Sequence, residues 1–246
     1  MTDYGYTRAA DGPAPVGLIV LQTDETIEGD LRRMLPQHLP VFISRVPSGA
    51  DVTPDSLRAM AGYLERAAAL LPQAMHYAAI GYGCTSATAQ IGAPRVAELI
   101  ASGAQTGHVT DPLSALIAAC RALGIARLAF LSPYTADVSD KLRSALLLAG
   151  IETPTFGSFN EANEASVVRI DAQSIVDAAC ALAAEGDTQA IFLSCTNLRT
   201  LDVIERIEAQ TGLPCLSSNQ VLGWVLGHYA GVEVQVPGIL GKIAHL

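Results

Sequence analysis

Lysine is nearly missing from this chain of 246 residues: Lys141 lies in a charged helical stretch and Lys242 close to the end, and there is no other. Neither position suits a Schiff base to a pyridoxal-type cofactor. Arginine is present but scattered, and the net charge is −9. Such a surface repels polyanions, so neither nucleic acid nor an anionic membrane is an expected partner. No apolar run approaches the ~18 residues needed to cross a bilayer. Residues 1–15 are polar and acidic, unlike a secretory leader, so the expectation is a cytoplasmic protein whose thiols stay reduced. The five cysteines are odd in number and widely spaced, which argues against a disulfide framework. His38, His76, His108, His228 and His245 are far apart, and neither Cys-x-x-Cys nor His-x-x-x-His occurs, so the spacing for a zinc site is lacking. Gly81-x-Gly83-x-x-Ser86 lacks the third glycine of a dinucleotide fingerprint, and there is no phosphate-loop Gly-Lys-Ser/Thr. The chain is expected to work without metal or cofactor.

What the sequence has is apolar substance, half of it hydrophobic, enough for a substantial core. Short apolar runs bounded by turn residues predict strands at 16–21, 41–46, 77–81, 127–132, 153–156 and 189–193. Between them, helical patterns predict helices at 25–35, 54–71, 94–101, 111–123, 138–149, 172–184, 201–210 and 219–229. The alternation is that of α/β proteins with parallel sheets. In such sheets the loops at the carboxyl ends of the strands carry the functional residues.

Two halves of the chain register under a shift of 111 residues, the separation of Cys84 from Cys195. Thr85 then falls on Thr196, Leu31-Arg32 on Leu142-Arg143, Arg58 on Arg169, Leu18-Ile19-Val20 on Ala129-Phe130-Leu131, and Ala79-Ile80 on Ala190-Ile191. Composition alone makes a given cysteine meet another about one time in fifty. The repeat predicts two pseudo-symmetric Rossmann-like α/β lobes related by internal duplication, with the site in the cleft between them. The first lobe is residues 1–111 with 217–246, and the second is 112–216. No linker rich in Pro, Gly or Ser separates them, so they form one unit. Alanine-rich helices such as 172–184 offer a face for a homo-oligomer.

Cys84 and Cys195 each follow an apolar strand and precede small hydroxyl-bearing residues, Thr85-Ser86 and Thr196-Asn197. A thiol at the start of a helix meets free N–H groups that favour thiolate, and the same groups can hold a substrate carboxylate. The competing reading is that both are small buried hydrophobes, which is adopted for Cys120, Cys180 and Cys215. Two opposed thiols suit proton removal on one face of a carbon and delivery on the other. Alternatively, one thiolate adds to an activated double bond, allows rotation and leaves. A non-catalytic two-lobed binding protein is the reading from another class, although binding alone does not need paired, oxidisable thiols.

Four motifs, Gly17-Leu18-Ile19-Val20, Gly83-Cys84-Thr85-Ser86, Ser132-Pro133-Tyr134-Thr135-x-x-Val138 and Leu193-Ser194-Cys195-Thr196-Asn197-Leu198, resemble those of the aspartate/glutamate racemase superfamily. The similar branch holds maleate cis-trans isomerase, arylmalonate decarboxylase and the racemase-like ectoine-utilisation protein. The resemblance implies that Cys84 is base or nucleophile and Cys195 its partner acid. The decarboxylases lack the first cysteine, so its presence argues against pure decarboxylation. Tyr134, whose register partner is Thr23, matches a carboxylate-binding tyrosine; otherwise it is a half-buried turn aromatic. Asn163 falls where the isomerases place a substrate-binding asparagine, or else is a plain helix N-cap. Asp24 takes the position of an asparagine that holds a substrate carboxylate in the isomerases. An anion there repels a dicarboxylate and pairs with an ammonium, unless Asp24 simply caps the helix expected from Glu25. The resemblance thus points to a cofactor-independent racemase or epimerase of an amino-acid-like substrate, an amino acid or an ectoine-derived diamino acid, with cis-trans isomerisation of maleate as the alternative. The candidate substrate-binding residues are Thr23, Asp24, Thr85, Ser86, Tyr134, Asn163, Thr196 and Asn197.

Overall fold

A computed structural model describes residues 1–10 and 12–243; residues 11 and 244–246, with His245 among them, lie outside the described residues. The first half runs β1 (Val16–Leu21), α1 (Ile27–Met34), β2 (Val41–Val46), α2 (Pro54–Ala59), α3 (Ala61–Ala69), β3 (Tyr77–Gly83), α4 (Thr85–Ile91), α5 (Ala93–Gly103) and β4 (Thr106–Thr110). The second half runs α6 (Pro112–Leu123), β5 (Arg127–Ser132), α7 (Ala136–Leu148), β6 (Glu152–Ser158), α8 (Glu164–Val167), α9 (Ala172–Ala184), β7 (Ala190–Leu193), α10 (Ile204–Thr211), β8 (Cys215–Ser217) and α11 (Ser218–Ala230).

Two four-stranded parallel sheets result, ordered β2-β1-β3-β4 and β6-β5-β7-β8. The order is the same under the duplication, and β1 maps onto β5 residue for residue. Both are interior strands. All six residues of β1, Val-Gly-Leu-Ile-Val-Leu, are buried, because helices cover both faces of a parallel sheet and leave no solvent side for polar alternation. In the second lobe, Phe130 packs against Phe156 and Phe192 with ring centroids 6.0 and 5.5 Å away.

The expected strands and helices are present, with differences at their edges. The helix expected at 54–71 is divided at Met60, where the backbone closes a tighter turn, Met60 N donating to Leu57 O. Helix α1 begins at Ile27 rather than Glu25. Strand β4 was not expected: Thr-Gly-His-Val-Thr has no apolar run, and as an edge strand it is largely exposed. Cys120 and Cys215 are fully buried, but Cys180 is only partly so and donates to Gln210 Oε1 at 3.3 Å.

The lobes are tied at several places. Helix α6, which follows the last strand of the first sheet, packs on α11, which follows the last strand of the second. Helix α11 also lies on β3, β4 and α1, so the chain returns to the first sheet. At the cleft mouth, Asp51 and Asn163 form an antiparallel bridge, with Val52 N donating to Ala162 O (2.9 Å) and Glu164 N to Ala50 O (3.0 Å). No helix among the described residues is long and apolar enough to cross a membrane.

Candidate active site

The carboxyl ends of β1, β3, β5 and β7 converge on a narrow cavity with about 10 Å³ of room for a water-sized molecule, and both Cys84 and Cys195 line it. Cys84 is the N-cap of α4, its Sγ accepting from Ala87 N at 3.3 Å. Gly83 precedes it because α1 lies against the strand end: a Cβ there would come within 2.8 Å of Ile27 Cδ1. Cys195 sits at the duplicated position but arrives differently. No helix starts after it, α10 beginning only at Ile204, and its φ is +109°. A side chain in that backbone region costs about 1–3 kcal/mol and persists only where its surroundings impose it. Here Cys195 N donates to Ser218 Oγ (3.0 Å), while Asn197 N donates to Cys195 Sγ (3.3 Å).

The expected thiolate-favouring environment is therefore a correction. Burial pushes the Cys84 thiol up to about 12; the N–H groups of Ala87 and Ser86 oppose this, while the nearby Glu164 and Asp24 carboxylates add to it. Cys195 is raised well above its ordinary value, first by burial and then by Glu164. The first turn of a short helix does not outweigh desolvation together with two buried acids.

Glu164 was not anticipated. It is 3% exposed, lines the cavity, and accepts from Tyr134 Oη at 2.6 Å and from Asn197 Nδ2 at 2.8 Å. Burial raises its pKa, opposed by those two hydrogen bonds. Asn163, expected at the site, does not line the cavity. Its side chain caps α8, accepting from Ala165 N (3.1 Å) and Ser166 N (3.3 Å), and donates to Asp51 Oδ1 at 3.2 Å. The bridge to the 50–52 loop fixes the backbone so that residue 164, not 163, faces inward. The only sequence signal was an acid adjoining the expected asparagine.

Asp24 both caps and faces the cavity. Its Oδ1 accepts from Thr26 N (2.8 Å) and Ile27 N (2.9 Å), whereas Oδ2 is buried without a hydrogen-bond partner among the described residues, the nearby Thr196 hydroxyl donating to Gly83 O instead. Burial raises its pKa above the ordinary carboxylate range. The guanidinium of Arg45 is engaged with Leu21 O, Gln22 O, Asp24 O and Glu28. Among the described residues no lysine, arginine or histidine lines the cavity.

The remaining candidates converge. Thr23, Thr85, Ser86, Thr196 and Asn197 line the cavity with Tyr134, whose hydroxyl is 2.9 Å from Cys195 Sγ. Thr23 Oγ1 is 3.1 Å from Ser48 Oγ. Thr196 Oγ1 donates to Gly83 O (3.2 Å), and Asn197 Oδ1 accepts from Glu25 N (2.9 Å), so the second-lobe motif grips the first lobe. Ser218 is another residue that sequence reasoning missed: its hydroxyl accepts from Thr85 Oγ1 (2.8 Å) as well as from Cys195 N.

The family model for arylmalonate decarboxylase matches residues 16–243. The arylmalonate decarboxylase of Bordetella bronchiseptica is 30% identical over 220 residues, 88% of this chain and 90% of the relative. The maleate isomerase of Nocardia farcinica is 25% identical over 234 residues, 91% and 92% of the two chains. Among solved structures, a variant of the Nocardia farcinica maleate cis-trans isomerase with a covalently bound succinylcysteine intermediate superposes with a TM-score of 0.80. Its identity is 24%, and the match covers 94% of this chain and 99% of that one.

Proposed function

We propose, since the chain belongs to the arylmalonate decarboxylase family, that it is a cofactor-independent isomerase acting on a small carboxylate substrate with Cys84 and Cys195. The carrying observation is that two thiols from equivalent strands of duplicated lobes line one cavity. In the forward direction a thiolate at Cys84 takes a proton from carbon and the thiol at Cys195 returns one to the opposite face; in reverse the roles exchange. Thr85, Ser86, Thr196 and Asn197 hold the substrate carboxylate with their hydroxyl and N–H groups, with Thr23 and Tyr134 also lining the cavity. The lobes divide as 1–111 with 217–246 and 112–216. The packing of α11 on the first sheet supports this division, although Ser217 still closes β8.

The substrate is amino-acid-like, of the kind an ectoine-derived diamino acid represents. Supporting this, among the described residues Asp24 Oδ2 is buried and unpartnered at the cavity, and Glu164 adds a second acid with no lining cation to balance either. Burying unbalanced anions is costly, and a substrate ammonium would offset that cost. A second reading, cis-trans isomerisation of maleate by reversible thiolate addition, is favoured by the name of the Nocardia farcinica relative. Either chemistry requires reduced thiols, which supports a cytoplasmic location.

The test is incubation in D₂O with L-amino acids, diaminobutyrate derivatives and maleate, followed by NMR, with Cys84→Ala and Cys195→Ala as controls. Deuterium at the α-carbon that depends on both thiols supports the racemase reading. Fumarate formed from maleate replaces it with the second. No labelling and no fumarate across the panel would sink both in favour of a binding protein.

A further inference from the structure

Tyr134 has one hydroxyl hydrogen and two close partners. Glu164 Oε1, at 2.6 Å, can only accept while ionised, so the hydrogen goes there. Cys195 Sγ, 2.9 Å from the same oxygen, must then donate its S–H to Tyr134. A directed chain results, from Cys195 through Tyr134 to Glu164. Asn197 holds both ends, its Nδ2 donating to Glu164 Oε2 (2.8 Å) and its backbone N–H to Cys195 Sγ (3.3 Å). Among the described residues Cys84 has no such chain: its Sγ accepts from Ala87 N, and the neighbouring Tyr82 hydroxyl donates to Met60 Sδ rather than to a carboxylate.

We propose that Glu164 is the proton acceptor for the Cys195 thiol, acting through the Tyr134 hydroxyl. The inference rests on the two-thiol reading and deepens it. As the Cys195 S–H bond breaks, its proton joins Tyr134 Oη, and the Tyr134 proton joins Glu164 Oε1. The products are a thiolate, an intact phenol and a neutral carboxylic acid, and the reverse transfer restores the start. The cavity's net charge does not change, because one negative charge moves from carboxylate to sulfur. This is the physical advantage: a thiolate formed while Glu164 stayed ionised would add a third anion beside Asp24 and Glu164 in a desolvated space. The titratable groups facing the chain are Asp24 and Cys84. The guanidinium of Arg169, just past the end of the short helix that begins at Glu164, is directed to Glu25 and Ala165 O instead.

The experiment is the rate of modification of each cysteine by methyl methanethiosulfonate, a small thiolate-selective reagent, read by peptide mass spectrometry. It is run on the full chain, on Glu164→Gln and on Tyr134→Phe. Cys84 is the internal control for cavity access and folding. The relay requires Cys195 modification to slow by roughly tenfold or more in both variants, with Cys84 not slowed. If Glu164 were only an opposing anion, its removal would leave Cys195 as fast or faster, and that result overturns the proposal, as does equal slowing of both cysteines. Should Glu164→Gln not fold, Tyr134→Phe decides by the same criterion. No turnover is measured, so failure here is distinguishable from failure of the isomerase reading in D₂O.

Discussion

Thr85 and Cys195, one from each lobe, meet on a single oxygen: Ser218 Oγ accepts from Thr85 Oγ1 at 2.8 Å and from the Cys195 N–H at 3.0 Å. The first residue of α11 thereby couples both cysteine loops. Ser218→Ala leaves the Cys195 N–H buried and unpaired, at a cost of about 1–3 kcal/mol. Urea unfolding should register that loss, and turnover should fall through both thiols; an unchanged midpoint would show that the loops are held elsewhere.

The +109° φ of Cys195 is strained for any residue with a Cβ. Cys195→Gly relieves it, whereas Cys195→Ala does not, so the glycine variant should be the more stable by about 1 kcal/mol. Both should be inactive. Equal stability by chemical denaturation would mean that the site imposes no backbone cost.

Asp30, on the buried face of α1, accepts from Asn219 Nδ2 at 2.9 Å, and burial lifts its pKa from 3.8 to about 6. The folded protein holds this proton more tightly than the unfolded chain does. The stability so contributed is full below pH 3.8 and lost as the pH rises through about 6. Asp30→Asn, which keeps an acceptor for Asn219, should therefore match the parent near pH 4 and exceed it by on the order of 3 kcal/mol at pH 7.5. A gap independent of pH would refute the buried titration.

With its thiol near 12, Cys84 is almost wholly protonated at neutral pH. Its alkylation in the free protein should be slow and should rise about tenfold per pH unit from pH 7 to 9 without a plateau. A plateau below pH 9 would mean that the helix N-terminus outweighs desolvation after all.

Asp24→Asn retains the Oδ1 acceptor for Thr26 and Ile27 and removes the charge at the orphan oxygen. On an amino-acid substrate kcat/KM should drop about 10- to 100-fold, the worth of one charged hydrogen bond. Unchanged activity would remove the ammonium role, and improved maleate turnover would favour the dicarboxylate reading.

The sequence by itself determined the duplication, the strand cores and the two thiols. Parallel strands buried on both faces must be apolar runs, and the interior strands β1 and β5 follow those runs. Edge strand β4 escaped because partial exposure removes the need for such a run. Tertiary structure alone decided which acids the thiols meet. Whether residue 163 or 164 faces the cavity depends on a backbone bridge to a loop more than a hundred residues earlier. The direction of the thiol pKa shifts likewise reversed the local expectation, because desolvation is a property of everything packed around a group. A helix start can be read from neighbouring letters; the company of Asp24, Tyr134, Glu164 and Ser218 around two sulfurs exists only once both lobes close.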